Sequence, residues 1–294
     1  MFAEIDDFYQ RMKNRLEHCR KERKELAEIL DFYGKVLSAQ QEAQQETPIP
    51  EIDLTEDRLN LKIEEGFPLM DSENFSVDRN SLERLFRNLC HLSSTENPVL
   101  ASAGEILHQA MDSGTLDVTR LGTAVLDNNA EAIEEYAKDL GVPQPVLQTL
   151  AKLSLQPSLL ATAAVVGKGF AAENWQQSYC PICGGLPAIA ALVGEEGKRE
   201  ALCSFCGHFW QLPRLQCPFC STEKQEDLRY FYGEGEDLYR VYVCEHCKGY
   251  IKVVDTREHG DPRGLAVDDV VTTHLDLLAE DEGYRRKAPR LWGI

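Results

Sequence analysis

Eight of the chain's ten cysteines fall in four Cys-x-x-Cys pairs: Cys180/Cys183, Cys203/Cys206, Cys217/Cys220 and Cys244/Cys247. They occupy 68 residues and read, in order, C-x2-C-x19-C-x2-C and then C-x2-C-x23-C-x2-C. A Cys-x-x-Cys turn brings two sulfurs close enough to grip one ion. Two such turns held by hairpins complete a tetrahedral four-thiolate shell, with metal–sulfur bonds of about 2.3 Å for zinc. The count predicts two separate mononuclear metal sites in small ribbon-type folds. Pairing in sequence order is the expectation; cross-braced pairing, in which the first and third turns share an ion, also satisfies the spacing. A closed four-sulfur shell leaves no position for a substrate, so the implied role is structural, with metal binding coupled to folding. Zinc and iron both accept this shell, and the ligands alone do not separate them.

Other chemistries fit less well. One Cys-x-x-Cys can be a thioredoxin-like redox motif, but four in tandem without a βαβ setting argue against it. Iron–sulfur clusters use more compressed cysteine spacings. His246, inside Cys244-Glu245-His246-Cys247, and His208, just after Cys206, read as solvent-facing neighbours of complete ligand sets. Cys19 and Cys90 lie on apolar helical faces and read as buried packing residues. No Ser/His/Asp order, phosphate-binding glycine loop or paired-carboxylate pattern is specific enough to propose catalysis.

The elements that must position the cysteines change character along the chain. From Ile5 to Leu37, apolar residues recur at Ile5, Phe8, Met12, Leu16, Cys19, Leu26, Leu30, Tyr33 and Val36, the 3–4 rhythm of one helix. A polar stretch, 38–46, then meets Pro48 and Pro50, where a helix should end. Further helices are expected around Leu82–Leu89, with Ser81 or Asp78 near its start, and over 100–111, 115–126, 129–140 and 145–169. Asn128 is the expected N-cap and Gly141 the expected stop of the fourth, and Pro157 should interrupt the last. After Trp175, short runs rich in Val and Tyr alternate with Cys, Gly and Pro. Strands are expected at 187–193, 205–212, 228–232, 239–243 and 250–254, with 233–237 as a hairpin loop. The glycines near the second cysteine of three pairs, Gly184, Gly207 and Gly249, suit tight turns. A last helix is expected from Asp268 to Glu282.

The fold class read from these signals is α+β. A helical domain spans 1–170, a first four-cysteine module 171–213, a second 214–260, and a C-terminal helix and tail 261–294.

Composition limits the partners. Asp and Glu number 49 against 31 Lys and Arg, a net charge of −18. Across 171–260 the count is 9 basic against 13 acidic residues, and four thiolates around a divalent ion add more negative charge. Nucleic acid, which demands clustered Lys and Arg, is a poor partner. The acidic N-terminus, Met1 to Gln10, lacks the apolar core of a secretory signal. No run approaches the roughly 18 consecutive apolar residues of a membrane span; the closest, Leu159 to Val166, is far shorter. A soluble cytoplasmic protein without membrane insertion is expected. In that reducing compartment paired cysteines serve metals or redox chemistry more readily than disulfides.

The neighbours of the cysteines carry a resemblance. Tyr179-Cys-Pro-Ile-Cys-Gly-Gly-Leu-Pro is followed by Leu202-Cys-Ser-Phe-Cys with Trp210, then Arg214-Leu-Gln-Cys-Pro-Phe-Cys and Val243-Cys-Glu-His-Cys-Lys-Gly-Tyr-Ile-Lys. With the final helix carrying Leu275-Asp276, this stretch resembles the formate dehydrogenase accessory protein FdhE family, from about Gln177 to Arg286. In the first half the likeness rests on helical character and the Gly66-Phe-Pro-Leu-Met70 segment. All eight family cysteines are present. The resemblance implies a cytoplasmic, non-catalytic maturation factor that binds the molybdenum- or tungsten-containing catalytic subunit of a formate dehydrogenase. It also implies rubredoxin-like metal units associated with iron. If the ion is iron, a redox role in electron transfer or oxygen sensing is the alternative.

Overall fold

A computed structural model describes residues 2–52, 55–168, 175–257 and 264–290. The chain forms two compact units, one of Met1–Glu51 with Asp71–Val165, the other of Ile52–Met70 with Val166–Leu291. The expected boundaries at 170/171 and 260/261 fall outside the described residues. The second unit also recruits a piece of the front half that the sequence reading assigns to the helical domain.

The first unit is helical. Its single long apolar rhythm turns out to be two helices, α1 (Phe2–Glu22) and α2 (Ala27–Glu46), separated by a short 3-10 turn at Lys24–Leu26. The chain folds back there: Lys13 Nζ donates to Gln41 Oε1 at 2.6 Å, and Arg20 pairs with Asp31 at 2.9 Å. Neither Gly nor Pro marks the turn, which is why periodicity alone ran through it. The polar stretch 38–46 continues α2, because its Ala39, Gln40 and Gln44 are buried. Helices α4 (Arg79–Glu96), α5 (Ala101–Asp112), α6 (Val118–Leu126), α7 (Ala130–Leu140) and α8 (Gln144–Gly167) follow. Asp78 caps α4 by accepting the Ser81 N–H at 2.7 Å. The cap of α7 is Asn129, not Asn128, and Gly141 ends it in the left-handed region at φ 68°.

Helix α8 differs from expectation at Pro157, through which it continues unbroken. A proline removes the N–H that would bond the carbonyl four residues back. That carbonyl belongs to Leu153, and buried Gln40 of α2 donates to it at 2.7 Å. By length and composition α8 could cross a membrane, although no consecutive apolar run predicts it, because Lys152 and scattered Ser and Thr interrupt the run without changing its average. In the protein 83% of its most apolar window is buried.

The second unit holds α3 (Glu56–Glu64), which sequence reading missed, and one seven-stranded sheet. Its strands are β1 (Pro187–Val193), β2 (Lys198–Cys203), β3 (Phe209–Leu212), β4 (Leu228–Phe231), β5 (Tyr239–Cys244), β6 (Gly249–Asp255) and the short β7 (Arg285–Arg286). Each four-cysteine module is an antiparallel meander, β1–β2–β3 and β4–β5–β6. Parallel pairing of β1 with β6, in which Ile189 faces Lys252 and Leu192 faces Asp255, joins the two into the order β3-β2-β1-β6-β5-β4.

The single helix expected at 268–282 is a pair, α9 (Leu265–Val271) and α10 (Thr273–Asp281), broken at Thr272. Both dock on one face of the sheet through buried charges. Lys252 Nζ lies 2.9 Å from Asp269 and 2.8 Å from Asp276, and Arg286 reaches the same carboxylates at 2.8 and 3.0 Å. The Tyr250 hydroxyl donates to Asp276 at 2.9 Å. Paired in this way, the charges avoid the heavy cost of isolated burial.

Candidate metal centres

Each Cys-x-x-Cys pair forms the same local turn. In the first, Gly184 N–H donates to the Cys180 carbonyl and Cys180 N–H to the Gly185 carbonyl, both at 2.8 Å. The third repeats this with Ser221 N–H on the Cys217 carbonyl and Cys217 N–H on the Thr222 carbonyl. The residue after the second cysteine takes a left-handed conformation in all four: Gly184 (φ 72°), Gly207 (φ 76°), Ser221 (φ 58°) and Lys248 (φ 55°). In the fourth turn Lys248, rather than the expected Gly249, therefore holds the left-handed position.

The next residue does a different job. A Cβ on Gly185 would sit 2.9 Å from Cys203 Sγ and 3.2 Å from Cys183 Sγ; one on Gly249 would sit 3.1 Å from Cys247 Sγ. These glycines leave room for the sulfurs.

The turns bring together the eight sequence-predicted cysteines in sequence order. Cys180, Cys183, Cys203 and Cys206 form one cluster; Cys217, Cys220, Cys244 and Cys247 form the other, with the sulfurs of each within 4.8 Å of one another. Cys180 and Cys206 sulfurs are 3.6 Å apart, and Cys183 and Cys203 sulfurs 3.4 Å. In the second cluster Cys217 to Cys247 and Cys220 to Cys244 are each 3.7 Å. These separations exceed a disulfide's length and approach the roughly 3.8 Å edge of a tetrahedron with 2.3 Å bonds to its centre. Backbone N–H groups of Gly185, Phe205 and Phe219 point at Cys183, Cys203 and Cys217 sulfurs at 3.4, 3.3 and 3.4 Å.

The electrostatics of the clusters also suit a cation. Burial pushes the Cys180 and Cys206 thiols well up. Burial acts on Cys203 too, but hydrogen bonds from the other three cysteines and the Phe205 N–H outweigh it and hold that thiol well down. In the second cluster burial raises Cys217 and Cys247. At Cys220 burial is outweighed by hydrogen bonds from the Thr222 N–H and the exposed His246, which bring it down to about 7. Each cluster thus favours one thiolate; ionising four needs a positive ion among them. The donor set, the spacing and the sulfur-sized cradles all fit one metal ion per cluster.

His208 departs from its expected solvent-facing place. It is half-buried, its ring lies beside Gly167, and burial pulls it down to about 4. Cys19 and Cys90 are buried in the helical unit as expected, and burial raises the Cys90 thiol to about 12.

The first cluster has a support that sequence reading noticed only as a likeness. Leu69 and Met70 N–H groups donate to the Pro181 and Ile182 carbonyls at 2.8 Å, along the first turn. Tyr179 hydroxyl donates to the Gly66 carbonyl at 2.6 Å, and Pro68 stands against Gly184. A segment more than a hundred residues upstream is thus laced onto the turn.

Comparison with known proteins supplies the family. The model described as "FdhE, N-terminal" matches residues 1–140, and "FdhE, C-terminal domain" matches 215–292. The chain belongs to the FdhE family. The first cluster lies between the stretches matched by the two FdhE models. A relative named "Protein FdhE" from Salmonella arizonae is 25% identical over 98% of this chain and 88% of its own length. A "Protein FdhE homolog" from Aquifex aeolicus is 32% identical over 49% of this chain, and the chain spans about half (51%) of that relative's length. The crystal structure of the FdhE protein from Pseudomonas aeruginosa covers 97% of this chain and 95% of its own at a TM-score of 0.67 and 21% identity, a likeness of fold.

Proposed function

We propose that this chain is a cytoplasmic maturation factor that binds the catalytic subunit of a formate dehydrogenase and supports its assembly, and that it performs no reaction of its own. Two closed four-sulfur clusters in an FdhE-family chain are the observation that carries the reading. Cys180, Cys183, Cys203 and Cys206 would hold one ion, and Cys217, Cys220, Cys244 and Cys247 the other. Such ions supply cross-links that fix the sheet, with no coordination position left for a substrate. The family resemblance favours iron; the donors accept zinc equally. The acidic surface suits a protein partner better than nucleic acid.

A second reading, a redox-active iron–thiolate factor, draws on the half-buried Cys183, Cys220 and Cys247, which bring each cluster towards the surface.

Two measurements test these readings. Anaerobically purified protein should carry two metal ions per chain, coloured if ferric; one or none overturns the two-site assignment. Pull-down with the catalytic subunit should succeed with wild-type protein. Loss of capture in a folded Cys220→Ser variant favours a direct interface, and failure of the wild-type chain to capture the subunit overturns the client assignment. A reversible redox titration at unchanged client binding favours the second reading.

A further inference from the structure

The sheet's two faces differ. Tyr250 and Lys252 point to the face covered by α9 and α10. Register places Leu192, Arg199, Tyr230, Tyr242 and Ile251 on the other face. A cavity of about 360 Å³ opens there, roofed in part by the loop running from Arg214 to Phe219. That volume lies in the range of small-molecule sites.

Its charge is anomalous for so acidic a chain. Five arginines line it (Arg199, Arg214, Arg229, Arg240 and Arg257), and no Asp or Glu is among the described lining residues. Asp255, outside the cavity, pairs with Arg240 at 2.9 Å and Arg257 at 2.6 Å, and Glu245 lies 3.9 Å from Arg229. Among the described residues, the hydrogen-bond partners of Arg199 and Arg214 are carbonyls. Arg199 donates to Pro213 and Gln216 carbonyls, and Arg214 to the Glu196 carbonyl at 2.7 Å. Arg199 is 4% exposed, yet its Nε has no hydrogen-bond partner among the described residues. Cys217 and Cys244 belong to the same wall, and Arg214 lies exposed at the rim, held among the described residues by the Glu196 carbonyl. Tyr230 and Tyr242 stack on each other at 5.4 Å and 22°, with Arg240 5.5 Å over the Tyr230 ring, so a stacked aromatic pair forms the wall beside the arginines.

We propose that this cavity binds a small oxyanion, carboxylate or phosphate, carried on a flat apolar body, with Arg199 and Arg214 taking the charge and the Tyr230–Tyr242 wall taking the ring. Guanidinium forks match both anions, and hydrogen bonds between ions are the strong ones. The site is independent of the client assignment above, since its ligand is a small molecule bound within the second unit.

Calorimetric titration of the full-length, metal-loaded protein with phenyl phosphate, benzoate and inorganic phosphate tests it. The expected result is one saturable site per chain for an organic anion, about tenfold tighter than for inorganic phosphate. A lead of phenyl phosphate over benzoate identifies phosphate as the anion; the reverse identifies carboxylate. Arg199→Lys, which keeps charge but loses the fork, should weaken binding about tenfold, and Arg214→Gln at least about threefold. If Arg199→Lys fails to fold, Arg214→Gln, which alters a rim side chain, decides. No saturable binding of either organic anion, equal affinity for inorganic phosphate, or wild-type affinity in folded Arg214→Gln overturns the proposal.

Discussion

Four residues follow the second cysteine of a pair, and only two are glycine. Ser221 and Lys248 hold the same left-handed backbone that Gly184 and Gly207 adopt without a Cβ penalty. Ser221 is exposed and its side chain adds little packing, so Ser221→Gly should stabilise the metal-loaded protein by about 0.5–1 kcal/mol, read by thermal unfolding. Gly185→Ala should do the reverse, since its methyl would meet the Cys203 sulfur at 2.9 Å. The expected outcome is a fall from two bound metals to one in metal analysis, with the second cluster intact; retention of both would show that the cradle yields. Chemistry at this scale was largely legible, because partners within a pair sit three residues apart. The role of Gly185 was not, because the atom it avoids arrives from a different strand.

At the scale of elements, strong periodicity sufficed where a helix or strand is regular, and failed where a distant partner decides. No local signal separates α1 from α2. Pro157 reads as a break, yet Gln40 from another helix satisfies the carbonyl it strands. Strand β2 opens with Lys198, Arg199 and Glu200, which look like loop residues until the buried place of Arg199 is seen. The docking of α9 and α10 depends on charges too, and this gives a pH signature. Burial works to raise Asp269, but Lys252 and Arg286 outweigh it and hold the carboxyl down to about 2. An unfolded aspartate titrates near 3.9, so this group's stabilisation, roughly 2–3 kcal/mol, is fully present above about pH 4 and is lost as pH falls through about 2. Wild-type protein and Asp269→Asn should therefore differ most in urea midpoint near neutrality, with the gap closing between about pH 4 and 2. Comparing the two chains cancels acid release of metal; a gap independent of pH would discount the ion pairs.

For the whole molecule, the main feature hidden from sequence reading is that two modules with separate ligand sets form one sheet. The β1–β6 ladder that joins them is parallel, and the residues it pairs are more than sixty positions apart. The other hidden feature is the Gly66–Met70 segment braced against the first cysteine turn. Met70→Pro removes the N–H that meets the Ile182 carbonyl. It should cost about 1–3 kcal/mol and speed chelator extraction of the metal bound at Cys180–Cys206, while extraction from Cys217–Cys247 keeps its wild-type rate. Equal acceleration at both clusters would mean that the segment supports the sheet as a whole.

The same segment sets an order of events during synthesis. Leu69 leaves the ribosome 112 residues ahead of Pro181, whose carbonyl it will meet. At roughly 5–20 residues per second, that is a wait of roughly 6–20 seconds. Leu69 and Met70, buried in the folded chain, can reach these partners only once the first cysteine turn has been made, and the last strands of the sheet come later still. The first metal clasp can close around its brace only after most of the helical unit has already been made.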